Sequence, residues 1–366
     1  MQRAGAPIDI AIVGGGAAGL ATAIFAKRRL PDRSVAVLDG ATKLGAKILV
    51  SGGGRCNVTN RIVTPRDFWG GSSNIIKRVL SAMPVAKTIA FFAELGVELK
   101  REETGKLFPT TDRARTVLDA LLRAARGANV ELRHPWRVET IEPRSAGFRL
   151  RGTSGSGGTA TLDADRVVLA TGGRSLPKSG SDGHGFALAR ALGHSITPRV
   201  FPALVPLLLE AGSPLLALSG LTVPATLEVR GPTGKRLASF TDSLLCTHFG
   251  LSGPAALDIS RYWTDAHLDD PGASLVANWL PGTTTEALEK ALLAAPAIGV
   301  SRFLRERGLP ERLATTLATS AGLDPQRSVR QLARPERRAL VASVCAQVVP
   351  ARGDRGWTHA EVTAGG

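Results

Sequence analysis

A single tyrosine and an aromatic share of only 5% give this chain little from which to build a base-stacking surface, so the platforms that grip single-stranded nucleic acid are poorly supplied. Cysteine is almost as scarce: Cys56, Cys246 and Cys345 are the whole complement and stand far apart. An odd, scattered set excludes a disulfide framework and fits a reducing compartment, and with no CxxC pair no metal site is expected. Acidic residues are in deficit, 31 against 46 Lys and Arg, for a net charge of +15. That balance raises nucleic acid or acidic lipid as partners. The basic residues are spread along the chain, however, and no block of five like charges marks a binding arm, so no nucleic-acid partner is expected.

Uninterrupted apolar runs are also missing. The stretch from Ile8 to Ala26 follows Arg3 and imitates a signal peptide, but it contains Asp9 and four glycines and lacks a cleavage region. Pro202 to Leu221 is broken by Pro206, Glu210 and Pro214. Neither is a bilayer span of about 20 apolar residues, so a soluble, cytoplasmic protein without a membrane partner is expected. What is present is a chain of 366 residues, 43% hydrophobic and 21% charged, which reads as two or three packed domains and not as disorder. Glycine is abundant at 41 residues, and its placement carries the first functional signal.

Ile8-Asp9-Ile10-Ala11-Ile12-Val13 reads as a buried strand that runs into Gly14-Gly15-Gly16-Ala17-Ala18-Gly19 and then a helix from Leu20 to Arg29. Strand, glycine turn and helix give the three glycines physical roles: Gly14 makes the turn, Gly16 lets main chain approach a pyrophosphate, and Gly19 lets helix and strand pack closely. The helix N-terminus offers free N–H groups to the anion. A second strand, Ser34 to Leu38, ends at Asp39, twenty residues beyond Gly19, where a carboxylate can accept from a ribose hydroxyl. A second copy of the pattern, Gly155 to Ala160, lies between Phe148-Arg149-Leu150-Arg151 and Thr161-Leu162 with no helix after it, and is expected to be a hairpin loop. After Asp39 the repeats of a plain NAD-dependent dehydrogenase do not continue. Lys43 to Lys47 and Ser51-Gly52-Gly53-Gly54-Arg55-Cys56-Asn57-Val58-Thr59-Asn60 form a second glycine loop carrying cations, suited to a phosphate or to the pyrimidine edge of a flavin.

With that loop the chain resembles the bacterial flavoproteins called YhiN-like, BaiN-like or aminoacetone oxidase-like FAD-binding enzymes. The resemblance continues through Phe91 to Glu98, Gly105 to Pro109, Ala170 to Gly173, Pro202 to Leu207, Thr247 to Pro254 and Val362 to Gly366, which is nearly the whole chain. It implies an α/β fold with a Rossmann-like FAD-binding domain of the two-dinucleotide-binding flavoprotein type and an inserted β-rich plus helical domain. It further implies FAD contacts at Gly14, Gly16 and Gly19 for the pyrophosphate, with Ala17 beside them, at Asp39 for the adenosine ribose, and at Lys47, Gly53, Arg55, Cys56 and Asn57 for the ribityl and flavin end. From the broader architecture come Val138, meeting the adenine through its main chain, and Thr171, Gly172 and Gly173, returned to the cofactor by the strand Arg166 to Ala170. One departure is His184 in Gly180-Ser181-Asp182-Gly183-His184-Gly185, where relatives carry an acidic residue; it reads as a solvated loop residue or as a group titrating near neutrality.

The expected organisation is an FAD domain over 1–198, an inserted substrate domain over 199–350 that is β-rich to about 282 and helical thereafter, and a return to the FAD domain at 351–366. The strand Leu221 to Arg230 with its Gly231-Pro232-Thr233-Gly234 turn, and the helices Thr285 to Ala294 and Pro335 to Val348, typify the two halves of the insert. Such an insert covers the flavin's reactive face in the family. Relatives continue past Val362-Thr363-Ala364-Gly365-Gly366 into a strand, a G-E or G-D motif and a closing helix, so a missing cofactor segment and weakened FAD affinity are expected of this chain. The expected activity is FAD-dependent hydride transfer between NAD(P)H, flavin and a small organic substrate, a conjugated enone being one implied case. The alternatives are a flavin-dependent RNA-modifying protein and a truncated, inactive flavoprotein. The flavin carries the redox chemistry, which leaves His248 as the candidate acid or base and Cys56 as a group that touches the flavin or acts as a redox thiol.

Overall fold

The computed structural model describes residues 7–68, 71–155 and 157–366, and divides them into two compact units: one built from residues up to Val200 together with Thr363–Gly366, the other from Phe201–Val362. Arg3, invoked in the signal-peptide comparison, and Ser156, in the second glycine pattern, lie outside the described residues.

In chain order the first unit contains β1 (Ile8–Val13), α1 (Ala17–Arg29), β2 (Val35–Leu38), α2 (Ala46–Val50), β3 (Thr59–Asn60), α3 (Ser73–Ala82), α4 (Val85–Glu94), β4 (Leu99–Arg101), β5 (Lys106–Pro109), α5 (Ala114–Gly127), β6 (Glu131–Arg133), β7 (Trp136–Pro143), β8 (Phe148–Ser154), β9 (Thr159–Leu169) and α6 (His184–Ala191). Its main sheet runs β6-β2-β1-β9-β8-β7. The four strands β6, β2, β1 and β9 are parallel, with Ile10 opposite Val35 and Val13 opposite both Leu38 and Leu169. β8 and β7 add antiparallel to the far side of β9.

The β1 side chains explain why this run is a central strand. Ile10 and Ile12 are buried against Leu20, Ala23 and Ile24 of α1 and Val117, Leu118 and Leu121 of α5. Ala11 and Val13 are buried on the other face with Leu38, Val138, Leu162 and Leu188. A parallel strand covered on both faces needs a nearly continuous apolar run, and each fully buried Ile or Leu contributes about 1.5–3 kcal/mol. The odd residue, Asp9, sits at the start of β1 and accepts from Ser34 N (2.7 Å), Ser34 Oγ (2.6 Å) and Arg33 (2.7 Å), tying the entry of β2 to that of β1. The second glycine pattern is the β8–β9 turn, where Gly157 N donates to Ser154 O and Ser154 N to Gly158 O.

The second unit carries a seven-stranded antiparallel sheet whose order is 347–349, 274–278, 222–230, 236–247, 250–252, 207–209 and 351–354. The helix Gly253–Asp269 and the helices Thr285–Ala294, Glu311–Ser320 and Arg334–Cys345 share one apolar core with it. Two boundaries differ from expectation. The last helix ends at Cys345 because Gln347–Val349 pairs with Leu275–Ala277 as an edge strand. The return to the first unit comes at Thr363 and not at 351, because Ala351–Asp354 pairs with Leu207–Leu209 and so belongs to the second sheet.

All three cysteines are buried thiols. Burial pushes Cys246 and Cys345 up to about 11 and raises Cys56 as well. The thiolate is the reactive form, so a disulfide-exchange reagent at neutral pH is expected to leave all three unmodified in the native protein and to titrate all three in denaturant, a result read directly by absorbance.

Candidate cofactor-binding site

The first glycine turn separates the demands of the chain from those of a ligand. Gly14 has φ +114°, and a Cβ there would meet the carbonyl oxygen of Ala170 at 2.3 Å. A Cβ on Gly19 would fall 1.8 Å from the carbonyl oxygen of Gly14. Those two glycines are required by packing alone. Gly16 is different: nothing lies within 4 Å of a Cβ built on it, its backbone is in an extended conformation open to any residue, and no side chain caps the helix that it begins. The first turn of α1 also holds no acidic residue. Its unsatisfied N–H groups and the positive end of the helix dipole are thus left for an anion.

Gly14, Gly16 and Ala17 line a cavity of about 890 Å³ in the first unit, near the upper end of the roughly 300–1,000 Å³ usual for small-molecule and cofactor sites. Asp39, at the end of β2, also lines it. Its carboxylate accepts from Gly15 N (2.6 Å) and Ala41 N (2.8 Å), which fixes its direction and leaves lone pairs for a further donor such as a ribose hydroxyl. Val138 reaches the wall at a bulge in β7, where the register shifts between Val138 opposite Gly152 and Thr140 opposite Arg151. Thr171 and Gly172, after β9, form the wall beside Gly14.

Lys47, Cys56 and Asn57 line the same cavity. Lys47 is half-buried, and its Nζ donates to Ser175 O (2.8 Å) and Ser175 Oγ (3.2 Å); burial lowers its pKa from the ordinary lysine value. Cys56 is buried with φ +64°, and desolvation keeps its thiol protonated. Lys47 gives a pH prediction. An acceptor on the ribityl or flavin end of bound FAD favours the ammonium form, and above the lowered pKa the amine is neutral. FAD affinity should therefore fall by about tenfold as pH rises through that pKa, since hydrogen bonds to charged groups contribute about 1.5–3 kcal/mol. In Lys47→Met the fall should disappear, as titration of protein fluorescence with FAD at each pH would read.

Four of the expected cofactor positions do not line the cavity. Gly19 packs inside the turn and Gly53 is exposed. Gly173 instead backs onto Thr363, whose Oγ1 a Cβ would meet at 2.4 Å. Arg55 points away: it pairs with Glu102 at 2.5 Å and lies 4.0 Å over the Phe108 ring. This holds the glycine loop, with Gly52, Gly53 and Gly54 all at positive φ, onto the small β3-β5-β4 sheet. His248 belongs to the second unit, on the turn between the strands ending at Thr247 and beginning at Gly250, edge-on to Phe249.

Sequence reading did not anticipate the wall formed by Pro177–Asp182 and His184. His184 is the first residue of α6 and no solvated loop residue; its Nε2 is buried without a hydrogen-bond partner among the described residues. Asp182 accepts from His184 N (3.0 Å) and pairs with Arg137 at 2.7 Å, and Arg137 packs on Gly40 beside Asp39. The only signal of this wall in the sequence was the glycine spacing of 180–185.

Three features therefore test for a dinucleotide: a glycine whose missing Cβ opens a helix N-terminus, a second-strand carboxylate with lone pairs to spare, and an orphaned imidazole nitrogen in the wall. The residues present fit FAD. Comparison with known proteins agrees on ancestry. The model of the HI0933-like protein Rossmann domain matches residues 8–366. A 3-dehydro-bile acid delta(4,6)-reductase from Clostridium scindens is 34% identical over 77% of this chain and 67% of its own length. A ribosomal RNA dihydrouridine synthase from Escherichia coli is 32% identical over 98% of this chain and 85% of its own. Among solved structures, a 3-ketosteroid-delta4-(5alpha)-dehydrogenase from Rhodococcus jostii is 17% identical with a TM-score of 0.43, over 100% of this chain and 85% of that one. No described helix is long and apolar enough to cross a membrane. The chain belongs to the HI0933-like Rossmann-domain family of FAD-dependent oxidoreductases.

Proposed function

We propose that this chain reduces a carbon–carbon double bond conjugated to a carbonyl, drawing electrons from NAD(P)H through FAD held in the cavity of the first unit. The observation that carries the cofactor half is the open Cβ direction at Gly16 above an uncapped helix start, with Lys47 lining the same cavity. The bond type is supported by the two relatives' names. A delta(4,6)-reductase of a 3-dehydro-bile acid and a dihydrouridine synthase both describe saturation of a double bond next to a carbonyl.

FAD in this cavity supplies, when reduced, the hydride added to the electron-poor carbon of that bond. The chain's own residues bind, orient and hold protons. Gly14 turns the chain, Gly16 and Ala17 present N–H groups to the diphosphate, Asp39 accepts from the ribose, and Val138 offers main chain to the adenine. Lys47 and Asn57 hold the ribityl and flavin end, where Lys47 adds a cation. The thiol of Cys56, kept neutral by burial, is suited to giving a proton to the carbon alpha to the carbonyl and unsuited to attack as a thiolate.

A second reading takes uridine in RNA as the substrate. It is favoured by the alignment with the dihydrouridine synthase over 98% of this chain and by the +15 charge. Anaerobic turnover of the FAD-loaded protein with NADPH separates the cases. Loss of the dienone absorbance of a 3-oxo-Δ4,6 steroid supports the first. Dihydrouridine formed in a uridine-containing RNA, with retention that falls steeply with salt, supports the second. Oxidation of NADPH unaffected by either substrate rejects both.

A further inference from the structure

We infer that Thr363, the first residue with which the chain re-enters the first unit, is a positioning residue for Lys47 and through it for the cofactor. The threonine hydroxyl lies where two consecutive main-chain donors converge: Oγ1 accepts from Arg174 N at 2.8 Å and from Ser175 N at 3.1 Å. Those bonds fix the peptide before Ser175 and hence the direction of the Ser175 carbonyl and hydroxyl. Both of the latter accept from Lys47 Nζ, at 2.8 and 3.2 Å. Ser175 is almost fully buried, at 2% exposure, so water does not readily replace either partner. The path from Thr363 to the cavity is thus one hydroxyl, one peptide and one ammonium group.

Gly173 shows that the approach is built in. A Cβ at this position would meet Thr363 Oγ1 at 2.4 Å and Thr363 Cβ at 2.6 Å. The last residues hold the strap in place: Gly366 N donates to Thr197 Oγ1 (2.8 Å), and Thr197 N donates to Gly366 O (3.0 Å). The two short motifs Thr171-Gly172-Gly173 and Val362-Thr363-Ala364-Gly365-Gly366, 189 positions apart at the Arg174 contact, are therefore halves of one device. A tethered ammonium loses less freedom on binding an anion than a mobile one, and preorganisation of this kind appears as affinity.

The effect on FAD rests on the cofactor reading above, whereas the effect on Lys47 does not, and the two are measured separately. Competitive acetylation of the cofactor-free protein, followed by mass spectrometry of the Lys47 peptide, reads the tether by itself. Thr363→Val, close to isosteric but lacking the acceptor, is expected to raise Lys47 acetylation about tenfold and to weaken FAD binding about tenfold, while Thr363→Ser keeps both within twofold of the unaltered protein. Gly173→Ala, which pushes the same hydroxyl away, should expose Lys47 to the same degree and carries the test if Thr363→Val does not fold. In Lys47→Met, Thr363→Val should weaken FAD no further. Unchanged Lys47 labelling in folded Thr363→Val or Gly173→Ala overturns the proposal, as does a Thr363→Ser variant as impaired as Thr363→Val. Altered labelling with unaltered FAD affinity leaves the tether standing and rejects the cofactor reading at Lys47.

Discussion

Gly19→Ala is expected to destabilise the first unit by about 3 kcal/mol or more, at the upper end of what overpacking costs. The added methyl would sit 1.8 Å from the Gly14 carbonyl oxygen and 3.4 Å from Ile12 Cγ2. Neither can yield cheaply. Gly14 N is bonded to Leu38 O at 2.8 Å, and Ile12 is fully buried between β2 and β9. Moving α1 outward to relieve the clash would open the packing of Leu20, Ala23 and Ile24 on the sheet. Since native domains have only about 5–15 kcal/mol in total, the variant should show a lowered urea midpoint, or no cooperative transition, by circular dichroism. A midpoint equal to that of the unaltered protein would mean that strand and helix do not pack as closely as described.

Gly16→Val is expected to behave in the opposite way. Its backbone angles, φ −82° and ψ −169°, are ordinary for a β-branched residue, and no atom lies within 4 Å of the new Cβ. Stability should change by less than about 1 kcal/mol, within the range of substitutions that create no clash or cavity. The valine methyls would instead occupy the approach to the α1 N-terminus. A diphosphate displaced from those N–H groups loses several charge-assisted hydrogen bonds, so FAD affinity should drop by about a hundredfold or more, about 2.8 kcal/mol. Fluorescence titration with FAD, set beside a thermal melt of the same sample, reads both halves. The pair of variants distinguishes a glycine required by the fold from one required by the ligand, although both satisfy the same pattern.

Much of the first unit was legible because its signals are local. A six-residue run that is apolar but for Asp9, three glycines at fixed spacing and an acidic residue at the end of the next strand lie within 39 residues, and the fold of such a unit follows from turn sterics and the pairing of β1 with β2. The rejected second glycine pattern was equally readable, since Phe148–Ser154 and the strand after it alternate and no helix follows. Arg55 was not readable. A cation in a glycine loop has no sequence mark that tells whether it faces a phosphate or a carboxylate, and the decisive partners, Glu102 and Phe108, are about fifty residues away. The return point at Thr363 was hidden for a related reason: Ala351–Asp354 is assigned to the second sheet by pairing with Leu207–Leu209, a contact across 140 residues that no local propensity encodes. His184 and the 177–182 wall fell between these cases, since the spacing of glycines suggested a turn but not the direction of the helix that starts there.

That FAD is held in the Gly14–Gly16–Lys47 cavity is tested most directly by the visible spectrum of the protein after incubation with FAD and desalting. The predicted result is flavin absorption that co-elutes with the protein, with bands shifted from those of free FAD, that bleaches on anaerobic addition of NADPH and is lost in Gly16→Val. Complete loss of flavin on desalting of the folded, unaltered protein, or flavin retained equally by Gly16→Val, would contradict it.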